Sequence, residues 1–204
     1  MMAASPAFAG APPPAVTPAP ASDAGFFIGA KGGFFWLQDE SVQQGSINAD
    51  VHFKAGWGIT VPVGYDFGNN FSVAFTAGYY EAGIDSIDIT SGGSRQSLSA
   101  SGDVQLVPLM ANAAYNVKLV DKLHWYLGAG LGTVHNDVTV DSAGGQHVGY
   151  DASSWDFGYQ AFTGLRYDVC QNTSVHLGYR FLHVNSDGDD HNGHSVEIGV
   201  TWRF

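Results

Sequence analysis

From residue 26 onward the chain repeats one arrangement, in which bulky apolar residues occupy every second position and glycine or small polar residues fall between them. In residues 57–67, Trp57, Ile59, Val61, Val63, Tyr65 and Phe67 alternate with Gly58, Thr60, Pro62, Gly64 and Asp66. A period of two puts successive side chains on opposite faces of a β-strand, whereas a helix needs a period of 3.6. Seven further runs carry the same signature, at 26–37, 71–83, 104–118, 123–135, 154–168, 173–183 and 194–204. Eight strands, an even number, form an antiparallel up-and-down sheet that can close on itself.

The connections alternate in length. Gly68–Asn70, Leu119–Lys122 and Val169–Asn172 are short turns, while 38–52, 84–103, 136–153 and 184–193 are long and polar. One rim of the barrel therefore carries tight turns and the other carries four long loops.

Alternation does not say which face points outward, but volume does. The interior of an eight-stranded barrel is just wide enough for side chains to fill it, and the Trp, Tyr, Phe, Leu and Val of the apolar faces would overfill it. The opposite faces carry Gly29, Gly33, Gly58, Gly64, Gly128, Gly130, Gly132 and Gly178 and fit inside. The bulky faces are thus expected to meet hydrocarbon. Aromatic residues cluster at the strand ends, with Trp36, Trp57, Tyr79 and Trp155 toward the long loops and Tyr65, Phe67, Phe71, Tyr115, Trp125, Tyr167 and Phe204 toward the turns. Such girdles sit at headgroup level in membrane barrels. The strand charges Lys31, Arg166, Arg180, Glu197 and Arg203 share the glycine-rich face. Glu81 falls on the apolar face by parity, at the expected long-loop end of its strand.

Composition excludes other classes. Charged residues are 13% of the 204, with a formal net charge of −11, the wrong sign for a phosphate-binding surface, so no nucleic-acid partner is expected. The single cysteine, Cys170, allows neither an intrachain disulfide nor a cysteine zinc cluster. A transmembrane helix needs about 18 to 20 apolar residues; Leu106–Tyr115 is far shorter and holds Pro108 and Asn112. Residues 1–9 read as a partial signal-peptide remnant, with Ala7-Phe8-Ala9 before Gly10, and residues 10–25 as a Pro/Ala-rich linker. A disordered cytosolic leader is the alternative for this segment.

These residues resemble the small eight-stranded outer-membrane proteins of the OmpA, OmpX and opacity type. Gly29-Ala30-Lys31-Gly32-Gly33 followed by Phe34-Phe35-Trp36 is similar to their first strand, Gly64-Tyr65-Asp66-Phe67 and Gly78-Tyr79 to strands two and three, and Gly178-Tyr179-Arg180-Phe181 to strand seven. Val196 to Phe204 resembles their last strand. The resemblance implies a bacterial outer-membrane location, and an assembly signal at Val200, Trp202 and Phe204 read by the outer-membrane assembly machinery. Thr76 stands where the resemblance leads one to expect a lumenal carboxylate, so a family-like plug network is expected to be reduced.

Lys31, Arg180 and Glu197 come together inside a closed barrel, as a structural ion-pair cluster or as a lumen gate. Asp187, Asp189, Asp190, His191 and His194 supply hard oxygens and imidazoles within eight residues, a candidate for a weak metal loop, although the EF-hand spacing is absent. The long loops hold twelve of the nineteen acids with Arg95 as their one base, which implies divalent cations or a basic partner outside, or a merely solvated rim. Ser174 and His176 share the inward face near the short-turn rim with no third, acidic residue evident at matching height, so catalysis is not expected. The expectation is a monomeric all-β transmembrane barrel in contact with outer-membrane lipid. It needs no cofactor and has a structural or surface-exposed role such as envelope integrity or adhesion. A narrow porin and a soluble periplasmic ligand-binding barrel are the alternatives.

Overall fold

The structure, a computed structural model, describes residues 24–44, 47–91, 94–143, 146–186 and 190–204. The expected signal remnant at 1–9 and nearly all of the linker at 10–25 lie outside the described residues. Among the described residues ten strands follow one another: β1 Gly25–Leu37, β2 Glu40–Gln44, β3 Ile47–Phe53, β4 Gly56–Asp66, β5 Phe71–Ser91, β6 Ser94–Val120, β7 Leu123–Ala143, β8 Gln146–Asp168, β9 Thr173–Asn185 and β10 His191–Arg203. The sheet runs β2-β3-β5-β4-β1-β10-β9-β8-β7-β6, and pairing of β5 with β6 closes it. Eight of these strands, all but β2 and β3, form an antiparallel up-and-down barrel.

Closure also joins the two ends of the chain. Ala30 faces Val200 and Ile28 faces Trp202 across β1 and β10, and Phe204 donates its backbone N–H to Phe26 at 2.9 Å. The tight turns form as their residues dictate. Gly68 and Asn70 take positive φ of 70° and 71°, and the Asp66 carboxylate accepts the Gly68 N–H at 3.0 Å, the local bond that favours aspartate at a turn.

The opposite rim departs from the expected loops. β5 to β8 span 21, 27, 21 and 23 residues, whereas about 9 to 11 tilted residues cross a bilayer. Segments 84–103 and 136–153 are therefore mostly tall hairpins, closing at the pairs Ser91 with Ser94 and Ala143 with Gln146. Within 38–52, β2 and β3 form a hairpin whose second strand pairs with the upper part of β5. Glu81 consequently lies mid-strand rather than at a strand end, and the Tyr79 hydroxyl donates to it at 2.7 Å.

Parity sorts the faces as expected. Phe34, Trp155 and Ile198 are more than 60% exposed on the outer wall, while Phe35, one residue from Phe34, is 1% exposed inside. An apolar outer wall around the whole barrel is stable only against hydrocarbon.

Candidate functional site

Inward-facing polar side chains form a hydrogen-bonded circuit from wall to wall at mid-height. The Glu197 carboxylate on β10 accepts from Arg180 Nε at 2.9 Å and Nη2 at 3.1 Å, from the Tyr80 hydroxyl at 2.9 Å and from the Ser195 hydroxyl at 3.1 Å. Arg180 on β9 donates its Nη1 to Gln160 on β8 at 2.8 Å. Gln160 donates to Asn112 on β6, and Asn112 donates to Thr76 on β5 at 2.9 Å. Tyr80 also stands on β5, so the chain of bonds leaves one strand, crosses the lumen and returns to it. Desolvated charges persist only when paired and fully hydrogen-bonded, and Arg180 and Glu197 satisfy that condition at 5% and 6% exposure.

Thr76 does not interrupt the hydrogen-bonded chain. Two amides and a hydroxyl bridge the far wall, because Asn and Gln can donate and accept at once where a carboxylate only accepts. Lys31 stays within Coulombic reach of Glu197 and Arg180 but makes no direct ion pair with the carboxylate. Register places it opposite Gly199, while Glu197 faces Gly33; its Nζ lies 5.0 Å from the centroid of the Tyr126 ring, a cation–π distance. Gly58 makes room for the circuit, since a Cβ there would meet the Tyr80 ring.

Toward the long hairpins the lumen is filled by Phe35, Leu37, Tyr80, Ala82, Ile84, Ala100, Val104, Leu106, Met110, Val134, Leu182 and Val184, all buried in one cluster. Toward the short turns it opens into a cavity of about 100 Å³. Its walls run from Asp66, Arg166 and Arg203 at the rim up to Thr76, Asn112 and Arg180 of the circuit. Arg203 pairs with Asp66 at 3.2 Å and Arg166 with Asp168 at 3.1 Å. An acid does stand beside Ser174, contrary to the sequence expectation. Asp168 faces Ser174 across β8 and β9, accepts its hydroxyl at 2.7 Å and contacts His124 Nε2 at 2.9 Å. The carboxylate thus stands between serine and imidazole, whereas an activated serine needs the imidazole in contact with its own hydroxyl. His176 finds no hydrogen-bond partner for either ring nitrogen.

Outside the barrel proper, the hairpin β2–β3 is tied down by charge. His52 contacts Asp39 at 2.8 Å and Asp88 at 3.3 Å, and Arg95 pairs with Asp88. Lys54, just past the expected loop boundary, pairs with Asp85 at 3.2 Å, so Arg95 is not the sole base there. The Ser97 hydroxyl and the Arg95 guanidinium hold the Asp88 carboxyl down to about 2. The Asp39 carboxylate raises the His52 imidazole above its ordinary range.

Of the proposed metal loop, Asp187 and Asp189 lie outside the described residues. His191 and His194 belong to β10, where a spacing of three places them on opposite faces. His194 stacks on Trp36 and its Nδ1 meets the Tyr179 hydroxyl at 2.6 Å, while Asp190 lies 4.0 Å from His183. Among the described residues, no three His, Cys, Asp or Glu side chains are arranged to hold a metal ion. Val200 and Trp202 of the expected assembly signal are exposed on the outer wall of β10, and Phe204 is exposed just past its end.

Residues 1–204 match the family described as outer membrane protein beta-barrel domain. Uncharacterized proteins of Brucella abortus and Brucella melitensis are 27% identical over 177 residues, covering 74% of this chain. The chain spans 61% of the length of those relatives. Among solved structures, Neisserial surface protein A is similar with a TM-score of 0.58 and 20% identity, over 89% of this chain and 99% of that one. OprG from Pseudomonas aeruginosa follows at 0.51 and 15%, over 88% and 96%. Closed topology, an apolar outer wall and a family model spanning all 204 residues lead to one conclusion: the chain belongs to the outer membrane protein beta-barrel domain family and resides in the bacterial outer membrane.

Proposed function

We propose that this protein is a closed envelope barrel that anchors an acidic β-structured extension on the cell surface and conducts nothing. The observation that carries this reading is the twelve-residue apolar cluster in the hairpin half of the lumen. Water and ions do not cross a packed apolar plug of that depth, and the hydrogen-bonded circuit beneath it adds a second, polar barrier. The short turns and both termini of the barrel face the periplasm, and the tall hairpins face outward, where their acids invite divalent cations or a basic partner. A surface role in envelope integrity or adhesion follows from a rigid extension on a stable anchor. The reading includes no catalysis, because Ser174 is bonded to Asp168 rather than to an imidazole. Family membership sets aside the soluble periplasmic barrel. Reconstitution in planar bilayers tests the proposal: the wild type gives no single-channel steps, and stable steps establish the narrow-porin alternative.

A further inference from the structure

The inward charges of the short-turn half are one cation out of balance. Asp66 pairs with Arg203, Asp168 with Arg166 and Glu197 with Arg180. Lys31 is the remaining cation of this set: it shares Glu197 with Arg180 only at longer Coulombic range, and no carboxylate among the described residues approaches its Nζ within ion-pair distance. Its neighbour across the shared Tyr126 ring is His176, whose imidazole meets that ring edge-on at 5.7 Å. Both nitrogens of His176 lack a partner. Lys31, Tyr126 and His176 all line the same cavity of about 100 Å³.

An ammonium surrounded by protein is unstable without a counter-charge, and a buried imidazole N–H without an acceptor is unfavourable for the same reason. We propose that the short-turn half of the lumen is a binding site for a small monovalent anion, held by the Lys31 ammonium with His176 as its flanking donor. The anion belongs to the class of halides and short carboxylates. The cavity holds several times the volume one water molecule needs, which suits a body of a few heavy atoms and excludes a sugar acid. Its lining reaches the rim residues Asp66 and Arg203, so the anion enters from the short-turn side and stops at the circuit. The site is independent of the proposed closure: a conducting lumen would leave the surplus charge of Lys31 in place.

Bromide is the probe, with the refolded full chain in detergent micelles and sodium gluconate holding ionic strength constant. The wild-type unfolding midpoint rises by roughly 3 to 6 °C for each tenfold increase of bromide above its dissociation constant. Lys31→Met removes the dependence while the barrel still folds, because removal of the unmatched charge leaves the remaining pairs intact. In crystals soaked with sodium bromide, anomalous scattering locates one bromide beside Lys31 Nζ in the wild type and none there in Lys31→Met. His176→Phe weakens the bromide response and retains the fold. A wild-type midpoint indifferent to bromide overturns the proposal, as does an equal response in Lys31→Met. Destabilisation of Lys31→Met without any halide effect also overturns it and makes Lys31 a structural partner of Glu197.

Discussion

Truncating Glu197 to alanine removes the acceptor on which four donors converge. Arg180 loses both of its bonds to the carboxylate at 2.9 and 3.1 Å, and Tyr80 and Ser195 lose the partner of their hydroxyls. Leaving one member of a buried ion pair alone costs about 3 to 5 kcal/mol. An orphaned buried hydroxyl such as that of Tyr80, at 1% exposure, adds about 1 to 3 kcal/mol. The orphans overlap and relax together, so the expected loss is about 4 to 6 kcal/mol rather than their sum. Paired replacement of both charges, Glu197→Met with Arg180→Met, removes the unmatched charge and recovers all but about 2 kcal/mol. Equilibrium urea unfolding of the refolded barrel in lipid vesicles, followed by tryptophan emission, reads both values. A loss under 1 kcal/mol for Glu197→Ala refutes the claim that the circuit holds the barrel together. A double variant as unstable as the single one shows that geometry, not charge pairing, sets the cost.

Other perturbations probe the remaining layers. Ile198 projects from the middle of β10 at 69% exposure, so Ile198→Arg costs about 2 to 4 kcal/mol in a bilayer; a neutral result in the same urea assay contradicts a lipid-facing wall. Gly58→Val pushes the Tyr80 ring off its seat and costs about 1 to 3 kcal/mol by overpacking; unchanged stability with an undisplaced Tyr80 resonance contradicts that contact. The docking of β3 on β5 depends on pH in two directions. Asp88, with its carboxyl lowered from 3.8 to about 2, stabilises above about pH 4, and that contribution is lost as pH falls toward 2. His52, raised above 6.5, stabilises below that value, and its contribution is lost as pH climbs through the raised one. Hydrogen-exchange protection at Val51 and Phe53 is therefore greatest between about pH 4 and 6.5, and His52→Phe flattens the alkaline limb; a pH-independent profile rejects the charge anchoring.

The barrel was legible because period-two alternation and volume are both sequence properties. Phe34 and Phe35 differ only in parity, yet one is 72% and the other 1% exposed. The height of the hairpins is less visible because their polar composition is that of a loop. Ser86-Ile87-Asp88-Ile89-Thr90 still alternates, with Ile87 and Ile89 at every second position. This signal fixes strands that leave the membrane and so no longer need bulky outer residues. At the site, parity placed Lys31, Arg180 and Glu197 on the inner face but not at the same height. Strand stagger puts Lys31 beside Tyr126 and leaves Glu197 to Arg180 and Tyr80. Gln160 and Asn112 carry no formal charge and so lack the signal that marks Lys31, Arg180 and Glu197. An uncharged amide at an inward position is as informative, since it too must find partners in a dry lumen.

The division between an outer wall that touches hydrocarbon and an inner half that is dry and packed is tested most directly by solid-state NMR of the barrel in lipid bilayers. Magnetisation transferred from acyl-chain protons is predicted to reach the methyl groups of Ile28, Val61, Leu131 and Ile198, and neither acyl-chain nor water protons are predicted to reach those of Leu106, Leu182 and Val184. Acyl-chain transfer absent from the first group, or water transfer into the second, contradicts the account.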